Sequence, residues 1–115
     1  MKRIIVADKV SFRQGITPEE GEPIRAEILH TINEGESIVL DFSDIGLITT
    51  AFLNVVIGTL YKDFSSERLK SLLFFENVSP EIARRIKRVT NNAKLFYANP
   101  KQFQENVDSV IYGKG

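Results

Sequence analysis

The positions of apolar residues predict strands that alternate with helices along the chain. Consecutive β-branched residues over positions 4–6 are typical of a first strand, and the compact apolar run over residues 37–42 is typical of a strand buried on both faces. Two further apolar runs predict a third strand over residues 69–75 and a short fourth strand over residues 94–97. Residues 11–15 are polar and end in glycine, which predicts a turn or a short edge strand.

Helix starts are marked by a hydroxyl or amide residue that is followed by a proline. Residues 17–20 form a capping box of this kind, and the first helix is expected to close near residues 33–35. A second helix is predicted over residues 50–64, where apolar residues repeat at helical spacing. Cap-and-proline pairs near residues 79–81 and at residues 99–100 predict a third and a last helix.

Alternating strands and helices predict an α/β fold with a mostly parallel sheet. One domain spanning residues 1–115 accounts for the length, because the pattern shows no repeat, linker or low-complexity stretch. Right-handed crossovers would bring the strand-ending acids Asp8, Asp41 and Glu76 to one edge of the sheet.

Composition narrows the class of protein and its partners. Hydrophobic residues make up 43% of the 115 residues and charged residues 26%, which is typical of a soluble globular protein. Lysine and arginine number 15, as do aspartate and glutamate, so no nucleic-acid partner is expected. The longest apolar stretch, residues 48–61, is shorter than the roughly 20 residues of a membrane span. Because cysteine is absent and the first apolar run is too short for a signal peptide, we expect a cytoplasmic protein without a membrane partner.

The stretch VLDFSDIGLITTAFLNVVIG, residues 39–58, holds the polar residues that are most suggestive of a site. Asp41 ends a strand and Asp44 lies in the following turn, where both carboxylates can accept backbone hydrogen bonds. Thr50 is the expected N-cap of the second helix, and such a cap contributes about 1 kcal/mol. Each of these residues therefore has an ordinary structural role beside any functional one.

The same stretch resembles the STAS family, the sulphate-transporter and anti-sigma-factor-antagonist domains. Residues 38–42 match the family's strand, residues 47–48 its apolar pair, and residues 53–58 the helix that follows. In its details the stretch is most similar to a smaller bacterial STAS-like group, and residues 21–32 fit the first helix of that group. The resemblance covers residues 21–75 and implies a STAS-like fold.

The resemblance implies a partner-switching module in signalling, without catalytic activity or a cofactor. In anti-sigma factor antagonists, a serine at the start of this helix is phosphorylated by a histidine-kinase-like ATPase, and only the unphosphorylated form binds that partner. A helix start tolerates a phosphate because its free N–H groups face the anion. The partner is therefore expected to be such an ATPase or a similar regulator, and self-association is left open.

The sequence departs from the family pattern at the phosphorylation site. Alignment on the resemblance puts Thr49 at the usual aspartate, Thr50 at the first serine, Ala51 at the phosphorylated serine and Phe52 at the usual glycine. Alanine has no hydroxyl, so Thr49 and Thr50 are the candidate phosphorylation sites. The alternative is a binder that is never switched.

The partner-binding surface is predicted to surround the start of the second helix. Phe52 is hypothesised to be an exposed contact there, with burial beneath the fourth strand and the last helix as the alternative. The predicted binding residues are Asp41, Asp44, Thr49, Thr50, Ala51, Phe52 and Val55.

A basic helix face is the second feature of interest. Four basic residues fall on the outward side of the predicted third helix, and they predict a solvated surface or, alternatively, a contact for an acidic partner. These residues are Arg84, Arg85, Lys87 and Arg88.

The rival function is a receiver-like phosphoacceptor domain. Asp8 and Asp41 at strand ends would hold magnesium, and Asp41 would be phosphorylated. The flanking positions give this alternative little support, because Lys94 is not followed by proline. His30 stands alone in sequence, without a second histidine or a cysteine to build a metal site or a hydrolase.

Overall fold

The computed structural model describes residues 1–98, and the predicted last helix, which would follow residues 99–100, lies outside this range. Short 3-10 turns at Val6–Lys9 and Ser11–Arg13 follow the first strand. The helices and strands, in chain order, are β1 (Lys2–Ile5), β2 (Gln14–Gly15), α1 (Pro18–Asn33), β3 (Ile38–Asp41), β4 (Leu47–Ile48), α2 (Thr50–Leu53), α3 (Leu60–Asp63), α4 (Ser66–Leu72), β5 (Leu73–Glu76) and α5 (Pro80–Ala98).

Three parallel strands form the main sheet in the order β1-β3-β5. Every residue of the central strand β3 is buried, as its continuous apolar run predicts. The register places Ile5, Asp41 and Glu76 side by side at the carboxyl edge of the sheet. Asp8 is not at this edge position, because it lies beyond the end of β1 in a 3-10 turn. The structure confirms the predicted α/β fold with a parallel sheet.

A second, two-stranded parallel ladder joins β2 to β4. Gln14 lies opposite Leu47, and Gly15 lies opposite Ile48. The Thr49 N–H extends the ladder by donating to the Gly15 carbonyl at 2.8 Å. The ladder therefore leads directly into the first turn of α2.

Helix α1 begins as the capping box predicts. The Thr17 hydroxyl accepts a hydrogen bond from the Glu20 N–H at 3.3 Å, and Pro18 is the first helical residue. Pro23 lies inside the helix without ending it. Gly35 follows the helix with a φ of 77°, which glycine adopts without steric cost. The core face of α1 contains Gly21, Ile24, Ile28, Thr31 and Ile32.

The predicted second helix over residues 50–64 is present, but a π-helical turn separates α2 from α3. The Thr59 N–H donates to the Asn54 carbonyl at 3.0 Å, the bond that defines such a turn. The Thr59 hydroxyl donates to the Val55 carbonyl at 2.7 Å and accepts from Arg25 Nε at 2.7 Å, which ties the turn to α1. The predicted core face is confirmed, with Leu53, Val56, Ile57, Leu60 and Phe64 buried.

The predicted third strand over residues 69–75 is half wrong. Its first part belongs to α4 at Ser66–Leu72, and the strand itself is Leu73–Glu76. The Ser65 hydroxyl caps α4 by accepting from the Arg68 N–H at 3.1 Å. An apolar run of this length is compatible with a buried strand or a helix, so the unrecognised serine cap decides between them.

The predicted fourth strand over residues 94–97 is wrong, because α5 continues through it to Ala98. No proline or glycine interrupts residues 81–98, so nothing ends the helix before the apolar run at its end. Among the helices within residues 1–98, none combines the length and apolar character that crossing a membrane requires. The buried face of α5 keeps the helical period at Ile82, Ile86, Val89 and Ala93.

Phe52 belongs to the core, so its predicted role as an exposed partner contact is wrong. Its side chain is 0% exposed. Phe52 precedes Val56 by four residues, and this spacing puts both on one stripe of the helix. The backbone of β2 covers the ring, because a Cβ at Gly15 would lie 2.9 Å from two ring carbons of Phe52.

We expect Gly15→Ala to lower the free energy of unfolding by about 1–3 kcal/mol, because its methyl group must displace a buried ring. Urea denaturation measures the loss. Gly46→Ala is the matched control, since a Cβ there meets only the Arg13 carbonyl at 3.7 Å. In a Phe52→Leu background the loss from Gly15→Ala should shrink. Equal stability of the two alanine variants would contradict the close contact.

Candidate functional site

Asp41 is the centre of a hydrogen-bond network at the carboxyl edge of the sheet. Its Oδ2 accepts from Arg3 Nη1 at 2.8 Å. Its Oδ1 accepts from the Ser43 N–H at 2.9 Å, from the Ser43 hydroxyl and from Asn77 Nδ2 at 2.9 Å. Arg3 also pairs with Glu76 at 2.8 Å. The network therefore joins β1, β3 and the residue that follows β5.

The network sets the ionisation of its members. Hydrogen bonds from Ser43 and then from Asn77 hold the pKa of the Asp41 carboxyl well below its usual range. The hydrogen bond and charge of Glu76, followed by those of Asp41, raise the pKa of Arg3. Both groups are thus charged at neutral pH and cross-link neighbouring strands. The geometry gives Asp41 a structural role, and its predicted contact with a partner stays a prediction.

The receiver alternative gains no support from this geometry. Both carboxylate oxygens of Asp41 already accept hydrogen bonds, and Asp8 is an exposed residue of the Val6–Lys9 turn, beyond the end of β1. Within residues 1–98, no group of three or more histidine or acidic side chains is arranged to hold a metal ion. His30 is exposed near the end of α1.

Thr49, not Thr50, is the N-cap of α2. The Thr49 hydroxyl accepts from the Phe52 N–H at 3.1 Å and donates to the Ile16 carbonyl at 2.6 Å. The Thr50 side chain is half-buried and makes no hydrogen bond to any residue in the described part of the chain. Of the two candidate phosphorylation sites, Thr50 therefore has the more available hydroxyl.

Three apolar side chains are exposed on or next to the β2–β4 ladder. Side chains alternate across a strand, so the buried Gly15 and Ile48 face the core while Leu47 faces outward. Leu47 is 45% exposed, and Ile16, which directly follows β2, is 40% exposed. Phe12, just before β2, is 93% exposed. We call Phe12, Ile16 and Leu47 the ladder patch.

The backbone around Phe12 is held in an unusual conformation. Phe12 has a φ of 54° and Arg13 a φ of 56°, which is the left-handed region that side chains other than glycine seldom adopt. Hydrogen bonds fix both flanks: the Ser11 N–H donates to Glu20 Oε2 at 2.7 Å, and the Gly46 N–H donates to the Arg13 carbonyl at 2.9 Å. The fold thus holds a large aromatic side chain in solvent.

The other predicted binding residues differ in their exposure. Ala51 is exposed in the first turn of α2, and Asp44 is exposed in the β3–β4 turn with a φ of 59°. Val55 is half-buried and close to α1, because a Cβ at Gly21 would lie 3.3 Å from its Cγ1. Of the predicted set, Asp44 and Ala51 are therefore the exposed residues, whereas Thr49, Thr50 and Val55 are half-buried.

Sequence reasoning missed the ladder patch. The family resemblance matches Leu47 and Ile48 as one apolar pair, whereas adjacent residues of a strand point to opposite faces. That rule identifies one of the two as exposed. The exposure of Phe12 has no comparable signal, since it depends on the left-handed backbone of residues 12–13.

We expect Asp41→Asn to destabilise the protein at neutral pH, because it removes the charged acceptor from the network. A carboxyl with a lowered pKa adds stability above its unfolded pKa of about 3.9, and this increment is lost as pH falls below that value. The difference in unfolding free energy between wild type and Asp41→Asn should therefore shrink steadily in acid. Thermal unfolding across acidic pH measures it, with exposed Asp44→Asn as the control. A difference that is constant with pH would contradict the network.

Comparison with known proteins supports the resemblance of residues 39–58 to the STAS family. A family model described as a STAS-like domain of unknown function matches residues 20–83, more than half of the chain. Searches of curated proteins and of solved structures found no match. The matched span runs from α1 through the parallel strand β3 and the start of α2 into α5. The chain therefore belongs to the STAS-like domain family.

Proposed function

We propose that this domain is a non-catalytic protein-binding module that docks a regulatory partner through the ladder patch and the first turn of α2. The observation that carries the proposal is the exposure of three apolar side chains, Leu47 on β4 and Phe12 and Ile16 on either side of β2, next to a ladder that bonds to Thr49. The buried core of a protein interface is more apolar than the rest of the surface, and aromatic residues such as Phe12 are enriched in it.

The rigidity of the surface supports a docking role. The Thr49 hydroxyl bonds both to the helix start and to the Ile16 carbonyl, so patch and helix are held in one arrangement. Phe12 is likewise fixed on both flanks. A surface that is already ordered loses little conformational entropy when a partner binds.

The class of partner follows from the family resemblance. Anti-sigma factor antagonists bind a histidine-kinase-like ATPase through the start of this helix, and we propose a partner of that type. The setting would be partner switching in the bacterial cytoplasm. Absence of catalysis is part of the proposal, and it is supported by the engagement of Asp41 in a structural network.

Leu47→Asp should weaken partner binding about tenfold or more, because it places a charge in the centre of the patch. Affinity capture from the source organism, followed by measured affinity for the purified ATPase, tests this. Leu95→Asp is the matched control, since Leu95 is 70% exposed near the far end of α5. Size-exclusion chromatography shows whether the bound partner is instead a second copy. If Leu47→Asp keeps full affinity for the partner, the proposed surface is wrong.

Thr50 is the proposed phosphoacceptor, since its hydroxyl is not used in capping. Incubation with the partner ATPase and ATP should add one phosphate, which intact-mass and fragment analysis would place on Thr50. Thr50→Val should abolish the modification. Phosphate found on Thr49, or on neither threonine, would refute this assignment while leaving the docking surface untouched.

A further inference from the structure

A groove lies between the start of α2 and the outer side of α5. It has a volume of about 330 Å³ and is lined by Thr50, Glu81, Arg84, Arg85 and Arg88. Arginine supplies three of these five lining residues, and no aromatic side chain is among them. We call it the arginine groove.

Among the residues that the structure describes, one of the three groove arginines is paired with an acid. Arg85 Nη2 donates to Glu81 Oε1 at 2.9 Å, and Arg85 Nη1 donates to the Ile48 carbonyl at 3.2 Å. Within residues 1–98, neither Arg84 nor Arg88 lies within 4.0 Å of a carboxylate. The groove therefore carries an excess of positive charge.

The spacing of the two remaining arginines favours an anionic occupant. Arg84 and Arg88 are four residues apart on α5, so their side chains are neighbours on one helix face. Like charges at this spacing are mildly destabilising, and an anion between them removes that repulsion. Guanidinium groups bind carboxylates through paired hydrogen bonds. The shape and charge thus fit acidic side chains.

The arginine groove is continuous with the ladder patch. A neighbouring groove of about 230 Å³ is lined by Leu47, Ile48, Glu81 and Arg85, among others, so the last two residues line both grooves. An occupant that extends from the arginine groove into this neighbouring groove would therefore reach Leu47. A single partner segment can reach both surfaces.

We propose that the arginine groove binds an acidic segment of the protein partner, with carboxylates on Arg84 and Arg88 beside an apolar contact on Leu47. This inference rests on the proposed docking function and adds the chemistry of the partner. Nucleic acid is disfavoured as an occupant, because none of the described residues that line the groove is an aromatic residue on which single-stranded bases could stack. The chain's balance of 15 basic and 15 acidic residues points the same way.

Fluorescence anisotropy with synthetic probes tests the groove directly. The probes are a peptide of alternating glutamate and leucine, the same peptide with glutamine for glutamate, and a thymidine oligonucleotide. The full chain should bind the acidic peptide, more weakly as salt rises. The Arg84→Gln/Arg88→Gln variant should lose about tenfold or more of this affinity. The control variant Lys87→Gln/Lys94→Gln removes the same charge from exposed positions of α5 that do not line the groove. Its affinity for the acidic peptide should stay within about twofold of the wild-type value.

Several results would overturn the inference. The first two are that the glutamine peptide binds as tightly as the acidic peptide, or that the Arg84→Gln/Arg88→Gln variant binds the acidic peptide as tightly as the wild type does. The others are that the acidic peptide does not bind, or that the oligonucleotide binds more tightly than the acidic peptide. The partner ATPase separates this inference from the docking function. If Leu47→Asp loses binding of the ATPase but the arginine variant keeps it, the docking function stands and the proposal for the arginine groove is wrong. If Leu47→Asp keeps binding of the ATPase while binding of the acidic peptide still depends on Arg84 and Arg88, the docking function is wrong instead.

Discussion

The contact between the Gly15 backbone and the Phe52 ring is the constraint on which the rest of this surface depends. Because no side chain stands at Gly15, β2 can lie against the first turn of α2 and close the core. The same approach lets the Thr49 N–H and hydroxyl bond to the Gly15 and Ile16 carbonyls. Because Phe52 points inward, Leu47 and Ile16 are the large apolar side chains exposed on the outer side of the ladder.

Sequence patterns that combine a periodicity with a capping residue predict the structure correctly. The Thr17 cap gave the start of α1, and the apolar run ending at Asp41 gave the central strand. Short apolar runs without a recognised cap were misread: residues 94–97 are the end of α5, and residues 69–72 are in α4. The inward direction of Phe52 depends on Gly15, which is distant in sequence, so local pattern alone could not fix it.

Two chemically different surfaces meet at the start of α2. The ladder patch offers apolar contact area, and the arginine groove offers charge, with Thr50 and Ala51 near their junction. This combination fits an interface in which apolar anchors supply affinity and charges supply specificity and register. The Asp41 network at the neighbouring sheet edge keeps the strands aligned beneath that surface. Family membership fixes the fold, and the proposed interface depends on these surface side chains.

Hydrogen–deuterium exchange of the chain, alone and bound to its partner, tests the central claim most directly, because it locates the interface without any substitution. The account predicts slower exchange on binding at backbone amides of residues 11–16 and 46–51 and in the first turns of α5. It predicts no change near His30, at the end of α1. Protection confined to the end of α1, with residues 11–16 and 46–51 unchanged, would contradict the account.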